Sequence, residues 1–172
     1  EEETFIATQS NTASMVDTGV PVASPADIHT NYVFPIIPKG DFQFYVVVTG
    51  SGSLSVDWGD GQVEKTDFQD TNSQQLFTYE HDYREQPSPI SITGHLNRIV
   101  DFEVIYYSDA MMERTNTFHL TELKFLGIYR LQAKVLDLRN NEKLRRLAIS
   151  LCDIDQLKLP KSHNINFAEV GF

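Results

Sequence analysis

The chain has 172 residues, 41% hydrophobic and 11% aromatic, enough for one ordinary domain or two small ones with a true core. Its formal net charge of −10 repels phosphate backbones and argues against nucleic-acid binding. No apolar run approaches a membrane span, and a lone cysteine, Cys152, excludes an intrachain disulfide or a cysteine zinc cluster.

Residues 1–22, opening EEETFIATQSNTAS, read as a polar leader in which TFIA is the one candidate edge strand. The acidic, Thr/Ser-rich opening is compatible with a trimmed exported chain whose signal lay upstream. Pro25, Pro35 and Pro38 supply no backbone donor, so a strand in 23–38 is expected to be broken or at an edge. Next come FQFYVVVTG (42–50), rich in β-branched and aromatic residues, and SLSVDW (53–58), with Leu54, Val56 and Trp58 on one face. QVEKT follows a turn, and LFTYEHDY (76–83) and PISITG (89–94) complete a series of short strands. The pattern predicts an antiparallel β-sandwich over residues 1–94, with the leader at its start.

Beyond Gly94 the chain repeats itself. FEVIYY (102–107), LKFLGI (123–128), LRRLAI (144–149) and INFAEV (165–170) each start 21 residues after the last and read apolar-x-x-apolar-x-apolar. LDLRNNEKL (136–144) falls on LKLPKSHNI (157–165) in the same register, aligning Leu136 with Leu157, Leu138 with Leu159 and Leu144 with Ile165. A 21-residue period predicts a short leucine-rich-repeat solenoid over 95–172. Ile105, Leu126 and Leu147 then share one buried column. Ala110, Leu131 and Cys152 occupy the inward position after each strand, where Cys152 serves as a small buried hydrophobe rather than a reactive thiol.

LSVDWGDG, followed by YEHDY and ISITG, resembles a PKD-like β-sandwich, whose modules carry a W/F-G-D-G turn, an H-x-Y strand and a closing strand. Here those elements are Trp58-Gly59-Asp60-Gly61, His81-Asp82-Tyr83 and Ile90 to Gly94. The module joined to short repeats that carry LDLxNN, matched by Leu136 to Asn141, is similar to bacterial cell-surface leucine-rich-repeat proteins. The stretch from Tyr106 to Thr121 departs from that pattern, with Thr115 and Thr117 at apolar positions. The resemblance covers about residues 42–172 and implies export, a place on the bacterial surface or as an outer-membrane lipoprotein, and adhesion or ligand binding without catalysis.

Asp57, Asp60 and Glu64 invite a calcium reading, but calcium takes six to eight oxygens and the Asp-x-Asp-x-Asp spacing is missing. The expectation is a hairpin with Asp60-Gly61 at a type I′ tip and Trp58 buried. Tyr79, His81 and Tyr83 are expected on one face, with His81 satisfied by a backbone or tyrosine partner, and Glu80 and Asp82 on the other. A hydrolase would need paired acids of fixed geometry, and no nucleophile elbow, phosphate loop or zinc motif occurs. Neither a catalytic residue, a metal nor a cofactor is expected.

The expected functional surface is the concave repeat face. Its third-position column is Val104, Phe125, Arg146 and Phe167. The fifth is Tyr106, Gly127, Ala148 and Glu169, and the seventh is Ser108, Tyr129, Ser150 and Gly171. Tyr106, Phe125, Tyr129, Arg146 and Phe167 form an aromatic-plus-arginine set of the kind that dominates binding hot spots. The expected partner is a protein ligand, or alternatively a glycan stacked on the aromatics. The final strand, 165–170, has an edge open to a second copy in a two-fold dimer or to an extended segment of the ligand.

Overall fold

The computed structural model describes residues 30–33, 40–83, 89–106, 110–116, 119–161 and 165–171. The TFIA stretch and the leader lie outside them. The described residues form a mainly β protein. In chain order its strands are β1 (Thr30–Val33), β2 (Gly40–Val48), β3 (Gly52–Asp57), β4 (Val63–Phe68), β5 (Gln75–Tyr83), β6 (Ser91–Gly94), β7 (Ile99–Tyr106), β8 (Ala110–Asn116), β9 (Phe125–Tyr129), β10 (Leu131–Asp137), β11 (Arg146–Ser150), β12 (Asp153–Lys158) and β13 (Asn166–Gly171). Among these residues no helix is long and apolar enough to cross a membrane.

The strands form three sheets. One is four-stranded and antiparallel, ordered β1-β6-β3-β4; β1 lies at its edge, one of the two outcomes expected for a strand in the proline-bearing 23–38 segment. A second is three-stranded and parallel, ordered β12-β10-β8. The third has six strands, ordered β13-β11-β9-β7-β2-β5, and is mixed. In it β5, β2 and β7 run antiparallel, whereas β7, β9, β11 and β13 run parallel. β7 therefore joins the two kinds of ladder, with β2 on one side and β9 on the other.

The two-residue period of a strand puts successive side chains on opposite faces. In β2, Phe42, Phe44, Val46 and Val48 are buried while Asp41, Gln43, Tyr45 and Val47 face the other way. Leu54, Val56 and Trp58 are buried together, as their spacing predicts. Phe44 is the aromatic hub: its ring lies 5.0 Å from Tyr79, 5.5 Å from Phe102 and 5.8 Å from Trp58. It thus ties β2, β5, β7 and the end of β3 into one core, each fully buried aromatic contributing on the order of 1.5–3 kcal/mol of transfer free energy.

The repeat spacing appears directly in strand pairing. Phe125 lies opposite Arg146, Leu126 opposite Leu147 and Ile128 opposite Ile149, each a 21-residue step. On the second parallel sheet Leu131 pairs with Ala110 and Leu136 with Leu157, the same step. The corners repeat as well: Arg130 and Leu151, 21 positions apart, have φ of 55° and 53°. Leu126, Leu147, Leu136, Leu138 and Leu144 are buried in the same core cluster as Phe44, and Cys152 is buried with them.

The first step departs from the expected register. Leu126 lies opposite Phe102, not Ile105, so this step is 24 residues long. An odd slip of three exchanges the two faces of a strand. Val104, expected on the open face, is therefore 2% exposed, Ile105 is only partly buried, and Asp101 and Glu103 take the outward positions. At the last step Phe167 lies opposite Leu147 rather than Arg146, and a bulge between Leu147 and Ala148 restores the 21-residue register by Glu169.

Candidate functional site

The Trp58–Gln62 connection uses its acids locally. Trp58 N–H donates to the Gln62 carbonyl at 3.0 Å, closing a loop in which Gly59 and Gly61, but not Asp60, have positive φ. The loop is longer than a two-residue type I′ turn, which corrects that expectation. Asp57 Oδ1 accepts from the Gly59 N–H at 2.8 Å and Asp60 Oδ1 from the Gln62 N–H at 3.0 Å. Glu64 sits on β4 opposite Val56.

The partner of His81 is neither a backbone group nor a tyrosine. Its Nε2 lies 2.8 Å from Asp60 Oδ2, and its ring stacks on Trp58 at 4.8 Å. The Gln62 N–H does most to hold the Asp60 carboxyl below its ordinary value; burial, next in size, opposes it, and the His81 hydrogen bond and charge add to the lowering. The Tyr83 hydroxyl donates to the Trp58 carbonyl at 2.8 Å, and burial with the nearby Asp60 and Asp57 charges pushes its pKa strongly upward. This constellation locks a loop onto the sheet: its polar atoms are engaged with each other. Among the described residues no three His, Cys, Asp or Glu side chains are placed to hold one metal ion.

The open face of the six-stranded sheet is different. Its central row, read through the ladder, is Thr78, Tyr45, Glu103, Gly127 and Ala148. The neighbouring row is Leu76, Val47, Asp101, Phe125 and Arg146. Two of the expected site residues, Phe125 and Arg146, meet here, while Tyr129, about 13 Å further along β9, packs against the core. Phe125 and Tyr129 are half-buried on β9, and the Arg146 guanidinium stands 4.9 Å above the Phe125 ring. Arg130 lies 5.6 Å over the Tyr129 ring. Tyr106 sits opposite Phe42 in the ladder, and Phe167 opposite Leu147, away from the positions expected for them; their side chains lie outside the described set.

Tyr45, Asp101 and Glu103 were not among the expected site residues. The Tyr45 hydroxyl donates to Glu103 Oε2. Burial raises the Glu103 carboxyl above its ordinary value, and Arg146 opposes the rise. Asp101 is raised by burial too, opposed by Arg146 and then Lys124. The signal for both acids was present in VDFEV, where strict alternation sets Phe102 and Val104 against Asp101 and Glu103. The assumed 21-residue first step overrode it.

Farther along β2 and β5, Asp41, Phe42, Gln43, Glu80, His81 and Asp82 line an open depression of about 320 Å3. Asp41 lies directly opposite Asp82, and Gln43 donates to Glu80 across the same pair of strands. The alternation expected for β5 holds: Tyr79 and Tyr83 are buried and His81 half-buried, while Glu80 and Asp82 are exposed. Compared with protein-family models, curated proteins and solved structures, the chain gives no match.

Proposed function

We propose that this chain is a non-enzymatic binding protein that engages a protein ligand through the open face of its six-stranded sheet. The observation that carries the reading is the Arg146 guanidinium stacked on Phe125, with the Tyr45–Glu103 pair on the neighbouring row of the same open face. Arginine and aromatic side chains supply most of the energy at interface hot spots. Parallel ladders in 21-residue steps support a short leucine-rich-repeat solenoid in 95–172. The Trp58 loop and the His81 strand support a PKD-like sandwich before it, and with it an exported, bacterial-surface location. Such a surface role fits adhesion.

Glycan binding is the alternative that the same aromatics support. Phe125 already carries Arg146 on its ring, which leaves less of that face for stacking a sugar and favours the protein reading. The test is to present wild type, Phe125→Ala and Arg146→Ala to a panel of immobilised extracellular proteins and to a glycan array. Lys65→Ala, on β4 of the other sheet, is the control. Capture of a defined protein that falls at least about tenfold in both open-face variants, but not in the control, supports the proposal. Binding to glycans alone supports the alternative, and binding indifferent to all three substitutions rejects the open face.

A further inference from the structure

The charges on the open face are arranged unevenly. Five acids occupy outward positions on β5, β2 and β7: Glu80, Asp82, Asp41, Asp101 and Glu103. Arg146 stands at the β11 side, and Lys124 precedes β9. Asp101 and Glu103 are two residues apart on one strand, so their side chains leave the same face from Cα atoms about 6.8 Å apart along β7. That is the repeat distance of alternate side chains in any extended chain. The Glu103 side chain lies over Gly127, and the small Ala148 follows next in the same row.

We propose that the segment bound on this face is extended and basic, with lysine or arginine at alternate positions seated on Asp101 and Glu103. This rests on the open face being the binding surface and names the chemistry of its partner. Charge complementarity selects it. The chain carries a net charge of −10, so a basic segment is attracted from a distance and an acidic one repelled. Both seat carboxylates are half-buried, so part of their solvent is already gone before an ammonium or guanidinium arrives, and burial raises both against the opposing charge of Arg146. Arg146, held over Phe125, remains at the rim to meet the segment's carbonyl oxygens. Spacing supplies the specificity: alternate cations match the two seats, whereas adjacent cations point to opposite sides of an extended segment.

The test uses fluorescein-labelled decapeptides and polarisation at low and moderate salt. One peptide alternates lysine with threonine, a second holds the same lysines in adjacent pairs, and a third replaces each lysine by glutamine. The proteins are wild type, Asp101→Asn with Glu103→Gln, and Asp155→Asn as an exposed acid on the other parallel sheet. Thermal melts confirm that each is folded. The expected result is salt-sensitive binding of the alternating peptide, weakened about tenfold or more in the double variant and unchanged in Asp155→Asn. Binding of the glutamine peptide as tightly as the lysine peptide overturns the inference. So does equal binding of the paired-lysine peptide, or indifference to the double variant. If the basic peptides fail while Arg146→Ala still abolishes capture of a protein, only the basic-segment inference falls. If Arg146→Ala and Phe125→Ala also leave capture unchanged, the open-face reading falls with it.

Discussion

Glu103 lies across the backbone of Gly127: a methyl group built on Gly127 would stand 2.6 Å from Cγ of Glu103 and 2.9 Å from Cδ. The side chain also accepts the Tyr45 hydroxyl, so it bridges β2, β7 and β9. Gly127→Ala must turn Glu103 aside and break that bridge. The expected loss is about 1–2 kcal/mol, from an off-rotamer side chain and a weakened charged hydrogen bond. With Glu103→Ala already present, only the contact to the residue-103 Cβ at 3.2 Å remains, and the same substitution should cost clearly less. A double-mutant cycle by chemical denaturation measures both arms. An equal loss in the two backgrounds would dismiss the bridge.

Burial raises the Glu103 carboxyl above its ordinary 4.5, so its charge in the folded protein opposes folding at neutral pH. Glu103→Gln keeps an acceptor for Tyr45 and removes the charge. The variant should melt higher than wild type at pH 7. As pH falls through the raised folded pKa, wild type takes up a proton and the advantage shrinks, vanishing below 4.5 where the unfolded chain is protonated too. Melting curves across that window decide the point; a constant difference would mean that charge burial is not its source.

Asp60 should show the opposite sign. Its carboxyl is held below 3.8 by the Gln62 N–H and His81, so the ionised form favours the fold. That contribution is present above 3.8 and lost as pH falls through the depressed folded value. Asp60→Asn should therefore lower the melting temperature at pH 7, with the deficit closing below 3.8. A deficit that persists in acid would assign the effect to loop shape instead of charge.

Asn141 is fully buried, and its Nδ2 donates to the Leu120 carbonyl at 2.9 Å, one 21-residue step earlier. Its backbone also accepts from the Leu144 N–H at 2.9 Å. Asn141→Ala removes the amide that reaches Leu120 in a buried place and should cost about 1–3 kcal/mol. The exposed neighbour serves as the control: Asn140→Ala should change stability by about 0.5 kcal/mol at most. Urea denaturation of the two variants compares them directly.

Faces were legible where apolar and polar residues alternate. In β3 and in the Thr78–Tyr83 part of β5 burial follows that alternation, whereas β2 runs FYVVV over 44–48 and its sequence does not separate the buried Phe44, Val46 and Val48 from Tyr45 and Val47. The Leu126–Leu147 and Leu136–Leu157 pairings could be read because leucine recurs at a fixed step. The step into β7 could not be read by spacing. β7 meets β2 in an antiparallel ladder, and the Phe102 ring is placed by Phe44 rather than by the repeat. Half of the candidate site went with that choice: Phe125, Tyr129 and Arg146 sit on strands inside the regular period, Asp101 and Glu103 on the strand outside it. The His81–Asp60 contact was hidden for another reason, since it joins residues 21 positions apart through a loop whose geometry depends on Gly59 and Gly61.

The β7 strand gives the molecule no clean place to be cut. A fragment ending at Gly94 would keep β2 with one flank stripped of its hydrogen-bond partner and Phe44 without the ring of Phe102 beside it. A fragment starting at His95 would carry β7 with the same scar on its other side. Each half would expose a long apolar edge strand to whatever chain it met first. The two patterns that look separable along the sequence are therefore bound to a shared fate: they should melt in one transition, and a cleavage between them should leave two sticky pieces instead of two domains.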